Sequence, residues 1–176
     1  GLMETFIKQR PTLAEIDDKL GGKAGEELGE VTVDDAALFL ARFSNGAVGT
    51  FEATRFALGR KNYNRFEING SKGSVVFNLE RMNELEVYFD DEPEDVKGFR
   101  LVQTTAGAHA YMDAYWPVAH IIGYEHTFIN LVKDLLECIR DGKPMNPNWE
   151  DGVRNQAVLE AVDVSHNQRQ WVAPDV

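Results

Sequence analysis

Cysteine is almost missing from this sequence: Cys138 stands alone, so no disulfide can form within the chain, which fits a reducing compartment. Long apolar runs are missing too, since none approaches the roughly 18 residues that a membrane-spanning helix needs. No charged-then-apolar leader is visible at the start. These absences lead us to expect a soluble, cytoplasmic protein with no membrane role. Positive charge is in short supply, with 18 Lys and Arg against 29 Asp and Glu and a net charge of -11. A surface of that sign repels phosphate backbones and anionic lipid, so nucleic acid is excluded as an expected partner. Signature motifs are absent as well. There is no glycine-rich dinucleotide or phosphate loop, no HExxH and no GxSxG elbow. The four histidines (109, 120, 126, 166) lack metal-ligand spacing, and one cysteine cannot build a zinc site. We therefore expect no catalytic, cofactor-binding or metal-ligating residue in this chain.

What is present is a chain of 176 residues, 43% hydrophobic, enough for one domain with a sizeable core. It opens as "GLMETFIKQRP", already alternating like a strand that Arg10-Pro11 would end. A start of that kind reads as a piece of a longer protein. Residues 11–30 are polar, carry Gly21, Gly22, Gly25 and Gly29, show no period, and are expected to be a long surface loop. Strand patterns follow in quick succession. Over 31–43, Val31, Val33, Ala37, Phe39, Ala41 and Phe43 share one face, and Thr32, Asp34, Leu38, Leu40 and Arg42 the other. Asn45-Gly46 then marks a tight hairpin into 47–56. Further strands are expected over 64–69, 74–77, 84–89 and 99–104, with the two glycines of "GSKG" (70–73) supplying positive φ.

After residue 105 the pattern changes. "HAYMDAYWPVAHIIGY" is aromatic and irregular. From Glu125 to Arg140, Phe128, Leu131, Val132, Leu135, Leu136 and Ile139 form a helical stripe that Gly142 and Pro144 stop. A second helix is expected over about 150–168, with Val153, Val158, Ala161, Val162 and Ser165 facing inward. Strands first and helices second is an α+β order, not the βαβ alternation of a doubly wound sheet.

Four stretches carry a resemblance: "VDDAALFLARFSNGAVGTFEATR", "FEINGSKGSVVFNLE", "GYEHTFINLVKDLLECIRDGKP" and "LEAVDVSHNQRQWV". In order and spacing they resemble the C-terminal domain of the glucose–fructose oxidoreductase / inositol dehydrogenase / rhizopine-catabolism (Gfo/Idh/MocA) family, over about residues 1–173. The resemblance implies an open, mostly antiparallel sheet with helices packed on one face. The other face would be available to a second subunit, so a homo-oligomer is implied. It also implies that residues 1–176 are a single C-terminal substrate-binding and oligomerisation domain. The N-terminal Rossmann domain, with its dinucleotide site and its catalytic lysine, histidine and aspartate motifs, would be absent from this chain. NAD or NADP would then bind the full-length parent and not this piece, which alone would be inactive.

By the same resemblance the substrate is a sugar, inositol or related polyol, contacted by sheet-end loops. Arg60, Asn62 and Tyr63 lie in one such link and offer donors and acceptors to hydroxyls. Tyr115, Trp116 and His120 lie in the aromatic segment, where rings can stack on sugar C–H faces. The bland reading of both groups is a solvated basic loop and a packed aromatic linker. Other classes of function stay open: a non-catalytic binding or assembly module, or a dead paralogue acting as a regulatory subunit. His126 reads as structural, Cys138 as an inert buried thiol, and "DDEPED" (90–95) as a solvated acidic loop.

Overall fold

The structure, a computed structural model, describes residues 1–17 and 21–175. The chain forms two units, Gly1–Leu58 with Pro147–Val176, and Gly59–Asn146. Every strand pair is antiparallel, and the α+β expectation holds.

In the first unit a three-stranded sheet runs in the order β1 (Leu2–Glu4), β4 (Ala36–Arg42), β5 (Val48–Thr54). The β4–β5 hairpin forms as the Asn-Gly pair requires. Gly46 sits at φ 90°, and Phe43 N–H donates to the Ala47 carbonyl at 2.9 Å. Phe39 and Phe51 are cross-strand partners whose rings stack at 4.7 Å and 7°. Leu2, Leu38 and Leu40 share a groove of about 450 Å³ with Val158, Val162 and Trp171.

β4 starts five residues later than the alternation predicts, and Asp35 is the reason. This carboxylate is 3% exposed. Its Oδ2 accepts the N–H groups of Phe6 (2.8 Å) and Ile7 (3.0 Å), and its Oδ1 accepts Arg10 Nη2 at 2.8 Å. Its own backbone bonds Glu4 and Arg55. The turn at 5–8 is thus wrapped around one buried charge, which also ends β1 early. The Ile7 N–H, foremost, holds the Asp35 carboxyl below its ordinary value. Burial opposes it, and the Phe6 N–H and Arg10 reinforce it.

Where a loop is expected at 11–30, β2 (Gln9–Asp17) and β3 (Gly21–Glu30) pair antiparallel, residues 18–20 lying outside the described residues, and Pro11 lies inside β2 rather than ending a strand. The pairing breaks register on both sides of Leu13. Glycine is poor in strand propensity, so β3 is invisible to periodicity. The same glycines let the strands approach, since a Cβ on Gly25 would sit 3.0 Å from the Thr12 carbonyl oxygen.

The helix α2 (Trp149–Gln168) packs on β1. Ala161 and Val162 are buried as expected, whereas Val153 is 65% exposed. Asn148 caps the helix, accepting from Glu150 and Asp151, while the Asp151 carboxylate accepts the Asn148 N–H at 2.9 Å. Asn148→Ala is expected to cost about 1 kcal/mol of stability. Urea denaturation followed by far-UV circular dichroism measures it, and an unchanged midpoint would discount the cap.

The second unit is a four-stranded meander of β6 (Arg65–Asn69), β7 (Gly73–Asn78), β8 (Glu84–Phe89) and β9 (Arg100–Gln103), followed by α1 (Glu125–Asp141). Neither Gly70 nor Gly73 uses positive φ. Gly73 is needed for space, because a Cβ there would collide with the Tyr88 carbonyl of β8. The acidic segment at 90–95 is not simply solvated. Asp90 accepts from the Tyr88 hydroxyl (3.0 Å) and Lys97 (3.3 Å), and Glu92 pairs with Arg100.

α1 ends as predicted, on Gly142 at φ 62°. Its packing differs from expectation. The apolar stripe stays exposed within its own unit, from Leu135 at 45% to Ile139 at 69%. The less exposed positions include His126, Asn130, Asp134 and Cys138, spaced four apart on another face, with Glu137 beside the last of them. Cys138 is accordingly only half-buried, with its thiol 3.7 Å from the Pro144 carbonyl.

Candidate functional site

The candidate residues gather at one end of the β6–β9 sheet. β6 starts at Arg65 opposite Asn78, and β8 starts at Glu84 opposite Gln103, so three connections leave that end: 59–64, 79–83 and 104–124. The middle connection, built on a 3₁₀ turn at Leu79–Arg81, holds the other two. Leu79 N–H donates to Asn64 O at 2.9 Å, and Thr104 N–H to Asn83 O at 2.8 Å.

On one side, Glu80 organises the basic link. Its Oε2 pairs with Arg60 Nη1 at 3.2 Å, and its Oε1 accepts the Lys61 N–H at 2.8 Å. The Arg60 guanidinium also lies 3.8 Å from the Tyr63 ring centroid, a cation–π contact. Arg60 is thus held between an acid and a ring while staying exposed to solvent. The Asn62 carbonyl accepts the Asn64 N–H at 3.1 Å.

On the other side, Asn83 clamps the long loop with a reciprocal amide–peptide pair. It accepts from Ile122 N–H and donates to Ile122 O, both at 2.9 Å. The loop is strapped to α1 through two tyrosines. Tyr111 donates to Asp134 Oδ2 at 2.6 Å, with the Lys133 ammonium 5.4 Å from its ring centroid. The hydrogen bond to Asp134, above all, keeps the Tyr111 phenol protonated beyond its usual range. Tyr115 donates to Asn130, and its ring meets His126 edge-on at 4.7 Å. His126 accepts the Gly123 N–H at 3.0 Å and is structural as expected. Trp116 is 70% exposed, and His120 is exposed with Nδ1 2.8 Å from Pro117 O.

The six expected site residues therefore fall in two clusters flanking one turn, and Tyr115 differs from the rest in having its hydroxyl engaged. Sequence reading passed over Asn83, Glu80, Asn130 and Asp134, and noticed Tyr111 among the aromatic residues without placing it in the site. A usable signal was present in the matched spacing of Tyr111/Tyr115 and Asn130/Asp134, each four apart.

Among the described residues no strand runs through a glycine-rich turn straight into a helix N-terminus, the arrangement that cradles dinucleotide phosphates in a Rossmann fold. In this chain β9 ends at Gln103 and α1 starts at Glu125, while α2 follows an Asn148 cap already filled by Asp151. Among the described residues no cluster of His, Cys, Asp and Glu could hold a metal, and no helix is long and apolar enough to cross a membrane.

With this geometry in hand, comparison with known proteins is direct. The sequence model of the oxidoreductase family, C-terminal alpha/beta domain, matches residues 10–173. Levoglucosan dehydrogenase from Pseudarthrobacter phenanthrenivorans is 41% identical over 174 residues, 97% of this chain and 44% of that protein. Among solved structures, an oxidoreductase domain protein from Kribbella flavida superposes with a TM-score of 0.90 at 47% identity, covering 99% of this chain and 45% of that one. A levoglucosan dehydrogenase in complex with NADH and levoglucosan gives 0.84 at 38%, covering 99% and 44%. The chain thus spans less than half the length of the relatives it matches. It belongs to the C-terminal alpha/beta domain family of the Gfo/Idh/MocA oxidoreductases.

Proposed function

We propose that this chain is the substrate-side domain of an NAD(P)-dependent dehydrogenase that oxidises a hydroxyl of a sugar or anhydrosugar. The observation that carries the reading is the match, across 97% of the chain at 41% identity, to a levoglucosan dehydrogenase. The sheet-end arrangement supports it. Trp116 offers an indole face to sugar C–H groups, and His120, Asn62 and Tyr63 offer donors and acceptors for hydroxyls. Arg60, already paired with Glu80, is placed to hold the Tyr63 ring rather than to carry a free charge into the site.

When bound, the nicotinamide cofactor supplies the hydride acceptor. This chain's residues orient the sugar and exclude water, and the cofactor and the proton-transfer groups belong to a dinucleotide-binding half. The open face of β4–β5 is the oligomerisation surface. NAD(P)H formation decides the matter, with levoglucosan, myo-inositol and L-sorbose as substrates, in two preparations: the isolated chain and the product of its gene with the coding sequence upstream. We expect turnover only in the longer protein. Cofactor-dependent turnover by the isolated chain overturns the proposal, and a gene encoding only these residues overturns it in favour of a stand-alone binding module.

A further inference from the structure

Resting on that reading of the site, we propose that residues 105–121 are a preformed sugar platform and that Asp134 and Asn130 of α1 are its positioning residues. The segment closes on itself, with Ala119 N–H donating to Thr105 O at 3.2 Å, which is the geometry of an Ω-loop. Met112, near its centre in sequence, is buried at 6% exposure. Tyr111 and Ala119 adopt φ of 67° and 79°, a region unfavourable for residues with a side chain and persistent only where the surroundings enforce it. Those surroundings are identifiable. Two hydroxyls four residues apart meet two acceptors one helical turn apart, so distance and rotation are both fixed. Lys133 sits against the Tyr111 ring, and the Asn83–Ile122 pair anchors the far end.

Between the Tyr115 and Ile122 anchors, the chain shows Trp116 (70% exposed), Val118 (65%) and Ile121 (73%) to solvent. Apolar side chains in an untethered loop would collapse onto the nearest apolar surface. Here the backbone is tied at both ends, so they stay outward, as stacking on a sugar C–H face requires. A loop ordered in advance also spares the ligand the ordering entropy of binding. Nothing in this arrangement uses the apolar stripe of α1; the helix grips the loop with its polar side.

The test uses the intact chain and the indole N–H signals of its tryptophans, with Trp116 assigned through Trp116→Phe. Levoglucosan, myo-inositol and L-sorbose are titrated against wild type, Asp134→Ala, Asn130→Ala and Asp134→Asn, and amide exchange is measured without ligand. In the two alanine variants, exchange over 111–121 is expected to quicken, and sugar affinity to fall, by about tenfold or more. Exchange in β7 and β8 of the same unit should stay as in wild type, reporting an intact fold. Asp134→Asn keeps an acceptor for the Tyr111 hydroxyl and should restore both. Wild-type affinity in the alanine variants, or unchanged exchange in the loop, overturns the positioning role alone. A wild-type Trp116 signal that ignores all three sugars overturns the functional reading and this inference together. A wild-type Trp116 signal that ignores the sugars, together with loss of self-association in Trp116→Phe, would assign the platform to a protein partner instead.

Discussion

Asp35→Ala is expected to lower the melting temperature of the chain by roughly 5–10 °C. The substitution leaves two backbone N–H groups, those of Phe6 and Ile7, and the Arg10 guanidinium without their shared acceptor. Donors stranded in this way lose both water and partner, which is costlier than removing a complete hydrogen bond. The effect has a pH signature with a definite sign. The folded-state carboxyl titrates below its unfolded value, because Ile7, Phe6 and Arg10 favour the ionised form. Its contribution is therefore fully present above the unfolded value near 4, and is lost as pH falls through the lower folded-state value. Thermal melts from neutral pH down to about 3 should show wild type losing stability steeply below pH 4. Asp35→Asn should already start lower and show a shallower slope there. Equal slopes in the two proteins would mean that other carboxylates carry the acid transition.

Phe39→Asp combined with Phe51→Asp is expected to weaken self-association by about a hundredfold or more. The two rings stack across the hairpin, flanked by the Ala37–Ala53 and Ala41–Gly49 pairs. Small residues around a flat aromatic pair leave a surface that another sheet can approach closely. Alternation sets this face opposite Leu38 and Leu40, and the groove beside α2 is lined by both leucines and by Phe39 between them. A pair of aspartates at its centre would bring like charges together at the proposed interface, on a face whose other residues are alanine and glycine. Sedimentation velocity across a concentration series reads the change. A wild-type chain that is already monomeric, or a double variant that associates as before, removes this face from consideration.

Much of the architecture was legible because it rests on local chemistry. Asn45-Gly46 names a hairpin, Gly142 ends a helix in the left-handed region, and the meander from 65 to 103 alternates as strands must. The misses have physical causes. β3 is glycine-rich and gains its structure from β2, not from its own propensity. β4 is shortened by a side chain, Asp35, that acts on residues nearly thirty positions earlier. Tyr111 and Ala119 take up positive φ with no glycine to announce it, because the loop's anchors impose it. For the site, residue types and loops were readable, while the supports were not. Glu80 and Asn83 look like ordinary turn residues until the turn is seen to hold both flanking connections.

The division of labour on α1 has a consequence for change over time. The loop is gripped by hydroxyl–acceptor pairs at 111/134 and 115/130, and the apolar stripe lies on a different side of the cylinder. Residues 116–118, 120 and 121 can therefore diverge so long as both tyrosines and their acceptors persist, while position 119 is held by its positive φ and its bond to Thr105. New ligand preferences could then arise by exchanging a short stretch of sequence, leaving the hydrophobic requirements of the helix as they were.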